Sequence, residues 1–142
     1  MTNSASSAAG GQSLDQARGE LEARSGLTEA SVTVNKTVSG LQTHRRIWVE
    51  ATTDATDSGA QKEIVEYLLA LGWSINDVDA DKGISVRLHT NPQVVVGDLV
   101  KSSWSDLEYR SSPDSFKELV VVPRGALEEK LGDWPGPVPA SA

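Results

Sequence analysis

The chain has 142 residues, of which 38% are hydrophobic and 23% are charged, and its formal net charge is −7. This length and composition are those of one globular domain, and they exclude collagen-like and fully disordered chains. The acidic balance argues against nonspecific binding to nucleic acid or anionic lipid, and the absence of cysteine excludes disulfides, thiolate metal sites and a cysteine nucleophile.

The chain begins with small polar residues, and positions 1–12 predict a flexible lead because nothing there is large enough to bury. Ser13 and Gln16 fit a capping box, and the apolar spacing that follows predicts a helix over about 13–25. Apolar and polar residues then alternate over 31–39. This period of two predicts a half-buried strand.

A second strand over 44–53 completes a predicted hairpin. Ser58 and Gln61 offer another capping box, and the apolar stripe behind them predicts a helix that ends at Gly72. A short strand is expected to follow at 73–75.

The last third begins with a clear alternation that predicts a strand over 84–89. Residues 92–104 favour a helix that starts at a proline, although the valine run at 94–96 would suit a strand almost as well. Two further strands and a closing helix are predicted at 106–111, 116–122 and 124–131.

Together these elements predict one α+β domain over residues 13–132, between the lead and an extended, proline-rich tail at 133–142. The expected architecture is a mostly antiparallel sheet with helices packed on one face. Such a sheet keeps its other face for solvent or for a partner.

The order α-β-β-α-β over residues 14–90 is similar to that of BON domains, which are envelope-associated modules with two helices over a three-stranded sheet. Gly40 and Gly72 match the glycine positions of that family loosely, and no functional residue carries over. The chain also resembles the mature part of actinobacterial exported lipoproteins of unknown function: it has a Ser/Ala/Gly lead, many Val, Asp and Thr residues, and few Phe and Lys residues. These resemblances imply a cell-envelope or extracellular location, with the cytoplasm as the alternative, and a membrane tether through a lost or absent N-terminal anchor.

Three alternating carboxylates, Asp77, Asp79 and Asp81, resemble the start of a calcium loop, whose first ligands stand at alternate positions. In that spacing the loop glycine would fall at Lys82 and the closing glutamate at Leu88. An acidic turn between two strands is therefore favoured over a calcium site.

The only two histidines, His44 and His89, lie on predicted strands. If those strands were adjacent, the imidazoles could join Glu50 or Asp81 in a metal or acid–base site. Solvent-facing histidines are the favoured interpretation. The sequence also lacks nucleophile and phosphate-loop motifs, so no cofactor is expected.

These patterns favour a noncatalytic envelope or extracellular domain that binds a protein or another ligand. The candidate contact surface is the polar side of the hairpin, with Arg45, Arg46 and Trp48 as binding residues. The alternative is an acidic inhibitor or immunity-type protein that covers a basic toxin or enzyme by charge complementarity. A third hypothesis, an enzyme, requires His44 or His89 to meet a carboxylate in one pocket.

Overall fold

A computed structural model describes residues 11–110 and 114–139. These residues form an α+β fold, as the sequence predicts. In chain order the elements are α1 (Leu14–Ala23), β1 (Leu27–Ser39), β2 (Gln42–Thr53), α2 (Ser58–Trp73), β3 (Ile84–His89), α3 (Val96–Val100), α4 (Asp114–Lys117), β4 (Leu119–Val122) and α5 (Arg124–Leu131).

The strands form one sheet in the order β1-β2-β3-β4. The pairs β1–β2 and β3–β4 are antiparallel, and the central pair β2–β3 is parallel. A parallel pair needs a crossover connection, and α2 supplies it. The sheet is therefore mostly antiparallel, which confirms the predicted fold class.

Helices α1, α2 and α3 form a second layer against one face of the sheet, which we call the covered face. Helix α1 contacts β1, α2 contacts β2 and β3, and α3 contacts both α2 and β4. The strand residues buried on this face are all apolar except one threonine: Val32, Ile47, Val49, Ala51, Thr53, Ile84, Val86, Leu88, Val120 and Val122. Their alternation with polar neighbours is the period that the sequence displays.

The helix starts and ends follow identifiable local chemistry. Ser13 caps α1 and forms the predicted capping box with Gln16. The predicted capping box of Ser58 with Gln61 is wrong. Asp57 caps α2 instead, because its side chain accepts from the backbone N–H of Ala60. Gly72 does not end α2 either: it lets the helix approach Ile84, whose Cδ1 would lie 2.9 Å from an added Cβ.

Three predictions around the sheet edge are also wrong. The expected strand at 73–75 is a helix end followed by one isolated bridge to Gln12. The helix expected over 92–104 is confined to Val96–Val100. The strand expected over 106–111 is described up to residue 110, and in that part a single bridge joins Glu108 to Val121. The ring of Tyr109 lies so close to Gly97 that a Cβ on Gly97 would overlap it. Tertiary packing therefore determines the backbone course of this segment.

The end of the chain shows one further difference. The strand expected over 116–122 begins at Leu119, because the residues before it form the short helix α4. The predicted closing helix over 124–131 is confirmed as α5.

Residues near both ends of the described chain meet at the end of α2. Gln12, which the sequence places in the lead, is buried, and its side-chain amide donates to the hydroxyl of Ser74 at 3.0 Å. Gly136 of the tail donates its backbone N–H to the carbonyl of Trp73 at 3.0 Å. Residues 1–10 of the lead, 140–142 of the tail and 111–113 lie outside the described residues. None of the described helices combines the length and apolar character needed to cross a bilayer.

Candidate functional site

The candidate site is the second face of the sheet, which we call the uncovered face. Alternate residues of β2 point to it, so Trp48 lies opposite the buried Ile47 and Val49. Strand register places Trp48 beside Thr33 of β1 and Ser85 of β3, and Ser85 beside Val121 of β4. These four residues form one row across all four strands.

The centre of this row holds two polar atoms that the described part of the chain leaves unsatisfied. Trp48 Nε1 and Ser85 Oγ are both buried, and neither has a hydrogen-bond partner among the described residues. Ser85 is 0% exposed. An unsatisfied buried donor or acceptor costs about 1–3 kcal/mol. Tyr67 Oη and Trp104 Nε1 are also buried without a partner among the described residues. Trp48 and Ser85 differ from them because they are register partners on neighbouring strands, which makes this row the candidate site.

A charged rim borders this centre. The guanidinium of Arg87 lies 3.1 Å from Glu118 and 5.8 Å from the ring of Trp48. His89 lies between two carboxylates, with Nε2 2.6 Å from Glu50 and Nδ1 3.4 Å from Glu118. These contacts hold the rim side chains in place, and the ion pair of Arg87 with Glu118 brings opposite charges together.

Beyond Val121 the uncovered face continues into a groove of about 510 Å³. Phe116, the only phenylalanine of the chain, is 39% exposed there and lies under the guanidinium of Arg110 at 5.5 Å. The groove is lined by Leu107, Glu108, Tyr109, Arg110, Phe116, Leu119 and Val121. Tyr109 donates its hydroxyl to Asp98, and burial followed by this acidic neighbour raises the pKa of the phenol.

The three predicted binding residues do not share one face. Arg46 and Trp48 both belong to the uncovered face, because they are two positions apart on β2. Arg45 points to the opposite side, and its backbone N–H donates to Asp81 at 2.7 Å. The structure thus brings two of the three together.

The three aspartates of the calcium candidate each have a different partner. Asp77 accepts from the backbone N–H of Leu14 at 2.9 Å, and Asp79 pairs with Arg124. Asp81 lies 2.7 Å from His44 Nδ1. That hydrogen bond, with the backbone N–H of residue 45, lowers the pKa of Asp81. The three carboxylates are engaged separately rather than directed at one ion.

Each histidine has a carboxylate neighbour, but the two pairs are far apart. His44 meets Asp81, and His89 meets Glu50. His89 is the register partner of Thr52, so the pairs are separated by eight residues of β2, about 26 Å along the strand. The described residues contain no group of three His, Cys, Asp or Glu side chains arranged to hold a metal ion.

Sequence reasoning missed Ser85, Arg87 and Glu118 as members of this face. The alternation of β3 does place Ser85 and Arg87 on one side with His89. The contribution of Glu118 depends on the pairing of β3 with β4, which local sequence pattern does not encode.

Comparison with known proteins finds no match among family models, curated proteins or solved structures. Any functional assignment must therefore come from the chemistry of the chain's own surface.

Proposed function

We propose that this chain is a noncatalytic binding domain whose uncovered face docks a protein partner. The observation that supports this most is the pair of unsatisfied atoms, Trp48 Nε1 and Ser85 Oγ, at the centre of a sheet face that lacks the helix layer of the other side. An aromatic centre with a charged rim is the usual anatomy of a protein interface.

Trp48 is the proposed anchor of the interface. Its indole N–H is covered by its own neighbours, so a partner reaches it when the ring turns outward. Ser85, the register partner of Trp48, is buried too, and we propose that the same movement makes its hydroxyl accessible. A partner that offers a hydrogen-bond acceptor and an apolar pocket satisfies both groups at once.

The charged rim contributes selectivity rather than net attraction. Arg87, Glu118, His89 and Glu50 are already paired with one another. A partner with a poorly matched charge would break these contacts without replacing them, which disfavours its binding. Arg46, at the other end of the face, has no carboxylate within 4.0 Å among the described residues and can pair with an acidic group of the partner.

The test is quantitative capture of partners from an envelope extract of the organism that carries the gene. The bait proteins are the wild type, Trp48→Ala and a matched control, Trp134→Ala. Trp134 is also partly buried, but its Nε1 already donates to the carbonyl of Ile75 at 2.9 Å. Circular dichroism confirms that each bait is folded.

The proposal expects at least one protein that the wild type and Trp134→Ala retain and that Trp48→Ala loses. Equal retention by all three baits would contradict it. A captured basic enzyme whose activity falls on binding would assign the chain to the inhibitor class.

The cell-envelope or extracellular location is a separate proposal, and it rests on the lipoprotein-like composition alone. Cell fractionation with an antibody to the chain tests it. Detection in the cytosol only would contradict the location and leave the binding face untouched.

A further inference from the structure

The β1–β2 hairpin projects beyond the rest of the sheet. Ile47 is the first β2 residue that pairs with β3, and five cross-strand pairs lie outside it, from Asn35–Arg46 to Ser39–Gln42. Antiparallel strands rise about 3.4 Å per residue, so this part is roughly 17 Å long. We call residues 35–46 the hairpin ribbon.

The tip of the hairpin ribbon is apolar and exposed. Its two-residue loop is Gly40-Leu41, and Gly40 has a φ of +60°. A tight hairpin loop of this kind needs glycine at the first position, and small polar residues usually fill the second. Here the second position carries Leu41, which is 105% exposed, and Val38 nearby is 68% exposed. The turn geometry does not require either aliphatic side chain.

Cations gather at the base of the ribbon. Lys36 lies directly opposite Arg45, and like charges in that position destabilise a strand pair. Arg46 follows Arg45, and its Nε donates to the backbone carbonyl of Lys82 at 3.3 Å. The cluster therefore has four cations, namely Lys36, Arg45, Arg46 and Lys82. Among the described residues, none of these four side chains has a carboxylate within 4.0 Å. Asp81, the nearest acid of this loop, is occupied by His44 and a backbone N–H.

Charge is therefore segregated along the molecule. The hairpin ribbon carries three basic residues and no acidic one, whereas the remainder of the chain carries 10 basic and all 20 acidic residues. The net charge of −7 that argues against binding to anionic lipid is the sum over these two parts, whose charges have opposite signs. An anionic surface that contacts only the hairpin ribbon therefore faces a positively charged part of the molecule.

We propose that the hairpin ribbon docks on an anionic lipid bilayer. Leu41 and Val38 enter the boundary between headgroups and acyl chains, while Lys36, Arg45 and Arg46 lie at the level of the lipid phosphates. Arg45 stands four residues from Leu41, about 13 Å along the strand. Interfacial segments bury their apolar side chains about 5–10 Å deep, so the cations reach the headgroup layer when the tip is inserted. The acidic remainder of the chain stays on the solvent side, away from the anionic surface.

Vesicle co-sedimentation tests the proposal with the full chain. The probes are phosphatidylcholine vesicles with and without phosphatidylglycerol, at low and high salt. We expect binding only to the vesicles that contain phosphatidylglycerol, with weaker binding at high salt. Double substitution Arg45→Gln/Arg46→Gln is expected to weaken binding about 25-fold, because each cation near an anionic surface contributes about fivefold.

Leu41→Ser tests the contribution of the apolar tip to vesicle binding separately from that of the cations. Gly-Ser suits the same loop, so the ribbon keeps its shape, and we expect about a tenfold loss of vesicle binding. The matched control is Lys62→Gln, because Lys62 on α2 also has no carboxylate within 4.0 Å among the described residues but lies far from the ribbon along the chain. We expect this control to bind like the wild type.

Three outcomes would overturn the proposal. The first is no binding of the wild type to phosphatidylglycerol vesicles. The second is a loss in Lys62→Gln as large as in the double arginine variant. The third is binding to soluble polyglutamate without vesicle binding, which would assign the ribbon to an acidic protein instead. None of these outcomes depends on Trp48, the residue whose substitution tests the uncovered face.

Discussion

The two faces of the sheet are built from alternate residues of the same strands, yet they are completed differently. Ile84 and Ser85 are neighbours in β3 and both are 0% exposed. Ile84 packs against the helix layer, where it contacts Gly72 of α2. Ser85 points to the uncovered face, where its hydroxyl has no partner among the described residues. Burial therefore stabilises the fold at Ile84 and costs free energy at Ser85.

The difference shows what each face contributes. On the covered face burial removes apolar surface from water, which stabilises the fold by about 25 cal/mol per Å². On the uncovered face the buried groups at the centre are polar, and their burial costs free energy until a partner supplies hydrogen bonds. We therefore expect substitutions on the covered face to affect stability and those on the uncovered face to affect binding.

The largest effect is expected from Ile84→Ala on the covered face. The substitution leaves a cavity under α2, and such truncations cost about 2–5 kcal/mol of unfolding free energy. Urea denaturation followed by circular dichroism measures the loss. Ile84→Val, which removes one methylene, is the control and should cost about 0.5–1.5 kcal/mol. If the alanine variant loses less than about 0.5 kcal/mol of unfolding free energy, the helix layer is not packed on β3.

The edge of the helix layer is tested by Gly97→Ala in α3. A Cβ there would overlap the ring of Tyr109, and overpacking of this kind costs about 1–3 kcal/mol. Gly125→Ala in α5 is the matched control, since a Cβ there meets nothing within 4 Å. Alanine in a helix is favoured over glycine, so the control should gain up to about 1 kcal/mol. If both variants have the same stability, the contact between α3 and Tyr109 is not tight.

A smaller effect is expected at the base of the hairpin ribbon. The pKa of Asp81 is lowered below its ordinary value of 3.8, so its contacts with His44 and residue 45 stabilise the fold above that value. The contribution is lost as the pH falls through the lowered pKa. Asp81→Asn should therefore be less stable than the wild type near neutral pH, by under about 1 kcal/mol because the side chain is part exposed.

The measurement for Asp81→Asn is the unfolding free energy of both proteins from neutral pH down to the acid range. The gap between them should narrow below pH 3.8, where the carboxylate of the unfolded chain is protonated. A gap that stays constant across this range would show that the charge of Asp81 does not stabilise the folded chain.

The fold was predictable where the hydrophobic period or the capping residues of a segment determine its secondary structure locally. The alternation of β1, β2 and β3 and the capping box at Ser13 all appear as predicted. The errors lie where tertiary contacts dominate. Gly72 serves close packing against Ile84 instead of ending a helix. Tyr109 reaches α3 instead of extending a strand.

The candidate site was predictable only in part, for a related reason. Alternation alone puts Arg46 with Trp48 and separates both from Arg45. Thr33, one register neighbour of Trp48, comes from the same hairpin, whereas Ser85, the other, comes from β3. Strand β3 follows β2 only after the long crossover of α2. Register between strands so distant in sequence depends on the packed core, and local pattern does not specify it.

The most direct test of the account is the unfolding free energy of Ser85→Ala, measured beside Ile84→Ala. If the centre of the uncovered face is left unsatisfied by folding, removal of the hydroxyl deletes a cost, and the variant should equal the wild type or gain up to about 1 kcal/mol. A loss of more than about 1 kcal/mol would show that Ser85 is hydrogen-bonded in the folded chain. The face would then be complete by itself, and its proposed role as a docking surface would lose its main support.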